Sequence, residues 1–331
     1  MLRVVVWFLA GVLAWALPAG GEEPVRIRTA TLAPEGSTWM THYTEMAEEV
    51  KQRTQGRVEF VFYPGGVVGD ENLVVKKLRI GQVQAAMLSG VGLSEILPEV
   101  RILDIPFLYR THEETDRVRA LVQPRFEQGL AAKGFVALGW SDLGTLYIMS
   151  QQPLRTVADL RRRRVWVWQG DTVAETTFRT CGVNPVPIAV PDVLTSLRTG
   201  LLDTVYVSPV ASIALQWFSA VNTMTDLPLL DAFCLLLVTE KQLARVSAED
   251  RKAVLEVNRA MAVRLTAETR RQDVESIKTL REKGIQVVPP DASTRAELDG
   301  IARDVSRKLV GTLYGQELLD EVLKTLDRKT D

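Results

Sequence analysis

Two α/β lobes followed by long helices is the architecture the sequence predicts, and three observations carry it. The chain has 331 residues, 46% hydrophobic and 24% charged, which at roughly 150 residues per domain fits two domains that can each bury a core. Strand-like and helix-like segments alternate from residue 25 to about residue 225. From residue 241 onward the character changes to long, charged, periodic stretches with few helix breakers. Alternating strands and helices predict layered α/β units with mostly parallel sheets. Two such lobes meet at a cleft, and clefts between domains are where small ligands bind.

The elements follow in order. Val25 to Thr31 alternates as a strand, and Pro34-Glu35-Gly36 ends it. Ser37 then caps a helix in which Trp39, Met40, Tyr43, Met46, Ala47 and Val50 recur at three- and four-residue spacing. Val58 to Tyr63 is a strand rich in aromatic and β-branched residues, broken by Pro64-Gly65-Gly66, and Asp70 to Ile80 reads as a short helix. Ala85 to Leu88 and Ile102 to Ile105 read as short apolar strands, Glu113 to Lys133 as a helix and Phe135 to Trp140 as a strand. The middle repeats the pattern: strands at Thr145 to Met149, Val165 to Trp168 and Asp203 to Val207, with helices near Thr172 to Cys181 and Pro191 to Thr199. Residues 241–284 and 292–328 read as long helices, with Pro289-Pro290 between them.

Composition excludes several functions. Forty Lys plus Arg against 41 Asp plus Glu argue against a nucleic-acid groove, which needs a strongly basic face. Two His and two Cys cannot assemble the usual zinc clusters or a disulfide scaffold. Residues 1–21 place Arg3 before an apolar run from Val4 to Leu17 that ends at Pro18, the pattern of a secretory signal peptide. That run is short of the roughly 20 residues that span a bilayer. Without it the chain carries 39 basic and 41 acidic residues and would work in the periplasm, an oxidising compartment. Cys181 and Cys234 read as two buried, unpaired thiols.

Catalytic constellations are absent from the sequence. His42 falls inside an amphipathic helix and His112 in a polar helix start, and there is no G-x-S-x-G, H-E-x-x-H or P-loop pattern. The glycine run at residues 65–69 lacks dinucleotide-binding spacing and reads as a tight turn. The chain reads as no enzyme, with no catalytic residue, no cofactor and no metal site. The most informative local pattern is Val165-Trp166-Val167-Trp168, where the period of two puts both Trp on one strand face and both Val on the other. Indoles turned away from a core need a cover, and either a neighbouring helix or a ligand supplies one.

Further along, ordered segments become informative together. Tyr63-Pro64-Gly65-Gly66-Val67-Val68-Gly69-Asp70-Glu71, Leu78-Arg79-Ile80-Gly81, Ile105-Pro106-Phe107-Leu108, Val157-Ala158-Asp159-Leu160 and Gly200-Leu201-Leu202-Asp203 resemble, in order and spacing, the substrate-binding proteins of tripartite ATP-independent periplasmic (TRAP) transporters, the DctP family. The resemblance implies a two-lobed, periplasmic-binding-protein-like α/β fold with hinge strands and a long lobe-spanning helix. It divides the chain into lobe I, residues 22–143 plus 232–271, and lobe II, residues 144–231 plus 272–331. It also implies closure on a small organic ligand that is delivered to TRAP membrane permease subunits driven by a sodium gradient.

Residue by residue, the resemblance carries over only in part. The Arg that carboxylate-binding members keep in the strand after the Asp-Leu turn is replaced here by Trp166, and a second Arg after a Gly-Thr pair is replaced by Leu146. A polar position after Gly81 falls on Ser89, and contacts from the second lobe fall on Tyr206 and Ser208. Trp39, Trp140 and Trp168 complete the candidate ligand-binding set. A micromolar ligand has about 8 kcal/mol in hand, and a carboxylate buried without a partner costs several. The expected ligand is therefore more apolar than a C4-dicarboxylate: an aromatic, branched or lipid-like acid, or a neutral compound, with Arg164 available from the rim. A ligand-sensing or lipid-shuttling protein of the same fold, acting with a partner other than a permease, is the competing reading.

Overall fold

The structure is a computed structural model that describes residues 23–328; the expected signal peptide lies outside them. Among the described residues eleven strands form three sheets: β1 (Val25–Ala30), β2 (Val58–Tyr63), β3 (Ala85–Ser89), β4 (Phe135–Thr145), β5 (Tyr147–Ser150), β6 (Trp166–Trp168), β7 (Val186–Ile188), β8 (Thr204–Val207), β9 (Thr223–Thr225), β10 (Asp231–Thr239) and β11 (Gln286–Val288). One sheet runs β2-β1-β3-β10-β4, a second runs β11-β9-β5-β8, and β6 pairs with β7. The mixed α/β fold therefore has two lobes, each built on its own main sheet. Ser37 caps the first helix as its sequence suggested, accepting from the Met40 amide.

The sheets are mixed rather than mostly parallel. β1 pairs in parallel with β2 and β3, but β10 runs antiparallel to both β3 and β4, and β5 runs antiparallel to β8 and β9. The cause is β10, an apolar strand returning from the second sheet into the middle of the first, which the change in sequence character near its end concealed. The expected strand at Ile102 to Ile105 is instead the end of a 3-10 helix, Pro98–Asp104.

Three chain passages join the two main sheets, and two of them run side by side. β4 continues into β5 through Leu146, whose amide donates to Leu230 O and whose carbonyl accepts from Leu229 N, both at 2.8 Å. These side-by-side crossings form a hinge of paired backbone. Helix Ala248–Glu282 braces it: at 35 residues it is about 50 Å long, and it packs on β4, the first helix and helix Pro209–Ala214.

That brace approaches β4 at Gly139, where a Cβ would lie 2.7 Å from the Ala262 Cβ and 2.9 Å from the Asn258 carbonyl oxygen. Neither atom can swing aside. Gly139→Ala is expected to lower stability by about 1–3 kcal/mol through overpacking, read as a melting point several degrees lower. Unchanged melting would show that the helix yields without cost.

Candidate functional site

A cavity of about 200 Å³ lies between the two main sheets, walled by Trp39, Met87 and Phe233 from one side and Ile148, Tyr206 and Val207 from the other. Its aromatic wall begins at β6. Val165 and Val167 are buried in the core, as the alternation predicts, and Val165 bridges to Thr204, the first residue of β8. Trp166 and Trp168 then share the other face and stack at 6.5 Å. Trp166 is only 2% exposed: it stacks on Tyr206 at 4.7 Å, meets the edge of Trp217 at 5.1 Å, and donates its indole N–H to Ile188 O at 2.9 Å. Its cover is thus both protein and cavity. Trp168 reaches across, its indole N–H donating to Asp70 Oδ2 at 2.8 Å.

Seven of the eight residues expected at the site line this cavity: Trp166, Trp168, Leu146, Ser89, Tyr206, Ser208 and Trp39. Trp140 is the exception. It points from β4 into the packing beneath helix His112–Ala132, against Phe126 and Phe233, with its indole N–H on Glu127. Arg164 does not line the cavity either, because it pairs with Asp203 at 3.3 Å and its side chain is 56% exposed. His42 bonds within its own helix to Thr38 O, and His112 pairs with Asp231 beside the hinge. Both thiols are buried and free, Cys181 in the cavity wall. Among the described residues no group of three or more His, Cys, Asp or Glu is placed to hold a metal ion.

Sequence reasoning missed the charged floor of the cavity. Arg101, 3% exposed, is the only Lys, Arg or His among the described residues that line it. Its Nη2 lies 2.6 Å from Asp171 Oδ1 and its Nε 2.9 Å from Asp104 Oδ2. Burial opposes the charge on Arg101, but Asp171 and then Asp104 outweigh it and hold the guanidinium above its ordinary pKa. The same burial pushes the Asp104 carboxyl up to about 6, against the pull of Arg101. A signal existed: Val100-Arg101-Ile102-Leu103-Asp104-Ile105 sets one cation and one acid three apart in an apolar run. Read as a strand, that spacing puts them on opposite faces; in a 3-10 helix residues i and i+3 eclipse.

Glu71 is the second missed acid. Its carboxylate accepts from Ser89 N at 2.9 Å, Ser89 Oγ at 2.7 Å and Gly92 N at 2.8 Å, so Ser89 is committed to the protein's own carboxyl group. Burial still pushes Glu71 up to about 7, against those donors. Ser208 is likewise engaged, donating to Leu143 O at 2.7 Å while it caps helix Pro209–Ala214.

A cavity between two α/β lobes, walled mostly by aromatic and aliphatic side chains, is the kind of cleft in which small ligands bind. Residues 29–311 match the family described as bacterial extracellular solute-binding protein, family 7 (DctP), and the chain belongs to that family. Among curated relatives, a solute-binding protein of Roseobacter denitrificans is 24% identical over 92% of this chain and 95% of its own length. The uncharacterised protein YiiZ of Salmonella typhimurium is 30% identical over 48% of this chain and 49% of its own length, so that alignment spans about half of each protein. Among solved structures, DctP7 of Bordetella pertussis, a receptor binding pyroglutamic acid, superposes with a TM-score of 0.85 at 21% identity, covering 92% of this chain and 99% of that one. The galactonate complex of a sugar acid binding protein from Advenella mimigardefordensis gives 0.86 at 18% identity, covering 92% and 98%. At these identities the likeness establishes the fold.

Proposed function

We propose that this chain is an extracytoplasmic solute-binding receptor of a TRAP-type secondary transporter, acting in the periplasm and closing on a small, mainly apolar, uncharged molecule. One observation carries the ligand class: the one cation lining the cavity among the described residues is already held by two carboxylates, Asp171 and Asp104, while the remaining wall is dominated by aromatic and aliphatic side chains. A carboxylate ligand entering there would leave its hydration for a cation whose charge is spent, at a cost of several kcal/mol. An uncharged ring loses nothing comparable and gains the area of the indoles.

Size narrows the class. A dry cavity of about 150 Å³ holds one benzene, so about 200 Å³ admits a single ring with one or two small substituents. That volume favours a small ring over a lipid chain, and so favours a transport receptor over lipid shuttling. In this reading Trp166, Trp168, Leu146, Tyr206 and Trp39 supply apolar contact, and Ser89 and Ser208 shape the polar ends. The lobes divide at residues 143/144, 231/232 and 271/272, and the ligand favours closure by its differential affinity for the closed state, the form that permease subunits would recognise. The acid ligands named for the structural neighbours are the rival chemistry.

Native mass spectrometry of the mature protein, before and after denaturation, is expected to release a compound of about ten heavy atoms without a carboxylate. Titration calorimetry is expected to show no binding of succinate, pyroglutamate or glucuronate at micromolar concentration. Micromolar binding of any of the three would overturn the uncharged-ligand reading.

A further inference from the structure

Asp171 is held with unusual completeness for a side chain facing a ligand cavity. Its Oδ1 accepts from Arg101 Nη2 at 2.6 Å and from Ala174 N at 3.0 Å, and its Oδ2 accepts from Tyr206 O–H at 2.8 Å. It caps helix Thr172–Thr180 and is 5% exposed. The tyrosine is positioned in turn: its oxygen accepts from Trp168 N at 3.2 Å, and its ring stacks on Trp166. Arg101 arrives from the opposite side, on the 3-10 helix Pro98–Asp104, which packs on helices Gly90–Ser94 and His112–Ala132. The pair therefore joins residues 70 apart in sequence across the cavity, next to two other crossings, Trp168 to Asp70 and Asn72 Nδ2 to Gln169 O at 2.9 Å.

We propose that Asp171 is a specificity-determining residue that occupies, from within the chain, the place a ligand carboxylate would take on Arg101, and so excludes carboxylate ligands from the cavity. This rests on the reading of the cavity as the solute site and deepens it. A carboxylate that bonds a guanidinium, a helix amide and a tyrosine hydroxyl is what an acid ligand would offer there. Because it is covalently part of the chain, it competes at an effective concentration that a free ligand does not match. Charge discrimination then comes from a like charge set against the wrong ligand as well as from contacts to the right one. Removing the carboxylate frees the Nη2 edge of Arg101 toward the cavity, while Asp104 stays on its Nε.

Benzamide and benzoate, near-isosteres that differ in charge, test this with Trp fluorescence and calorimetry on the full mature chain. Wild type is expected to bind benzamide at least tenfold more tightly than benzoate. In Asp171→Ala, which opens space beside Arg101, the preference is expected to reverse, and benzoate but not benzamide is expected to raise the melting temperature. Asp171→Asn keeps the helix cap and removes only the charge, so it guards against a poorly folded alanine variant; benzoate is expected to gain at least tenfold relative to benzamide there too. Benzamide binding to wild type with no gain of benzoate in either variant would overturn the role of Asp171 and leave the apolar-site reading standing. Equal binding of both compounds to wild type would also overturn that role. Failure of both compounds to bind any form would overturn both readings.

Discussion

Arg101→Met is expected to cost about 3–5 kcal/mol at pH 8, the penalty for leaving buried carboxylates without their cation. Methionine roughly replaces the aliphatic stem, so the loss isolates the charge. Asp171 keeps Ala174 N and Tyr206 O–H as donors, whereas Asp104 loses the Arg101 contact at 2.9 Å in surroundings that already push its carboxyl up to about 6. The sign of the pH dependence follows. A carboxyl whose folded pKa is raised above its ordinary value of 3.8 holds a proton in the folded state that the unfolded chain has released. Stability therefore falls as pH rises from about 4 through the folded pKa, and removal of Arg101 raises that pKa further. Urea unfolding of the variant is expected to show a larger deficit against wild type at pH 8 than at pH 5. The triple variant Arg101→Met, Asp104→Asn, Asp171→Asn is expected to recover most of it, since only removal of one partner strands a buried charge. A deficit under 1 kcal/mol at pH 8, or one independent of pH, would remove the ion cluster from the account of stability.

Trp166→Ala is expected to destabilise by a similar amount, about 3–5 kcal/mol, as a large buried side chain truncated in a close-packed region. The loss includes the stack on Tyr206, the edge contact with Trp217 and the donor to Ile188 O. Since Tyr206 in turn holds Asp171, the variant is also expected to weaken the Arg101 pair and, with it, ligand affinity. Trp168→Ala is the instructive contrast. Trp168 is only partly buried, so its loss is expected to cost less than half as much stability while still abolishing part of the fluorescence response to ligand. Calorimetric melts and fluorescence titrations of the two variants check this. If Trp166→Ala melts within 2 °C of wild type, the indole is a ligand wall and not a brace.

These two residues show how far the sequence could be read. Trp166 was visible because a period-two strand leaves an unmistakable face, and an aromatic residue stands where the resemblance would place a cation. Its double role was not visible, because Tyr206 and Trp217 lie 40 and 51 positions further along the chain and come to it only when β8 and the 3-10 helix Trp217–Ala220 fold over β6. Arg101 was invisible for a different reason. A run of apolar residues cannot be told apart as strand or 3-10 helix from its pattern alone, and only the helix puts Arg101 beside Asp104. Trp140 misled because an aromatic at a strand end is equally suited to core packing, and helix His112–Ala132 was there to receive it.

By itself the sequence determined the layered α/β elements, the caps and turns that bound them, the family resemblance, and the aromatic face of residues 166 and 168, since each depends on neighbours within a few positions or on ordered short motifs. Tertiary structure alone decided the mixed sheet direction, through β10 inserting between β3 and β4, and the electrostatics of the cavity. Whether a buried cation is free or spent depends on which carboxylate lies within 3 Å of it, and Asp171 reaches Arg101 only because two lobes, 70 residues apart at that point, face each other across the cleft.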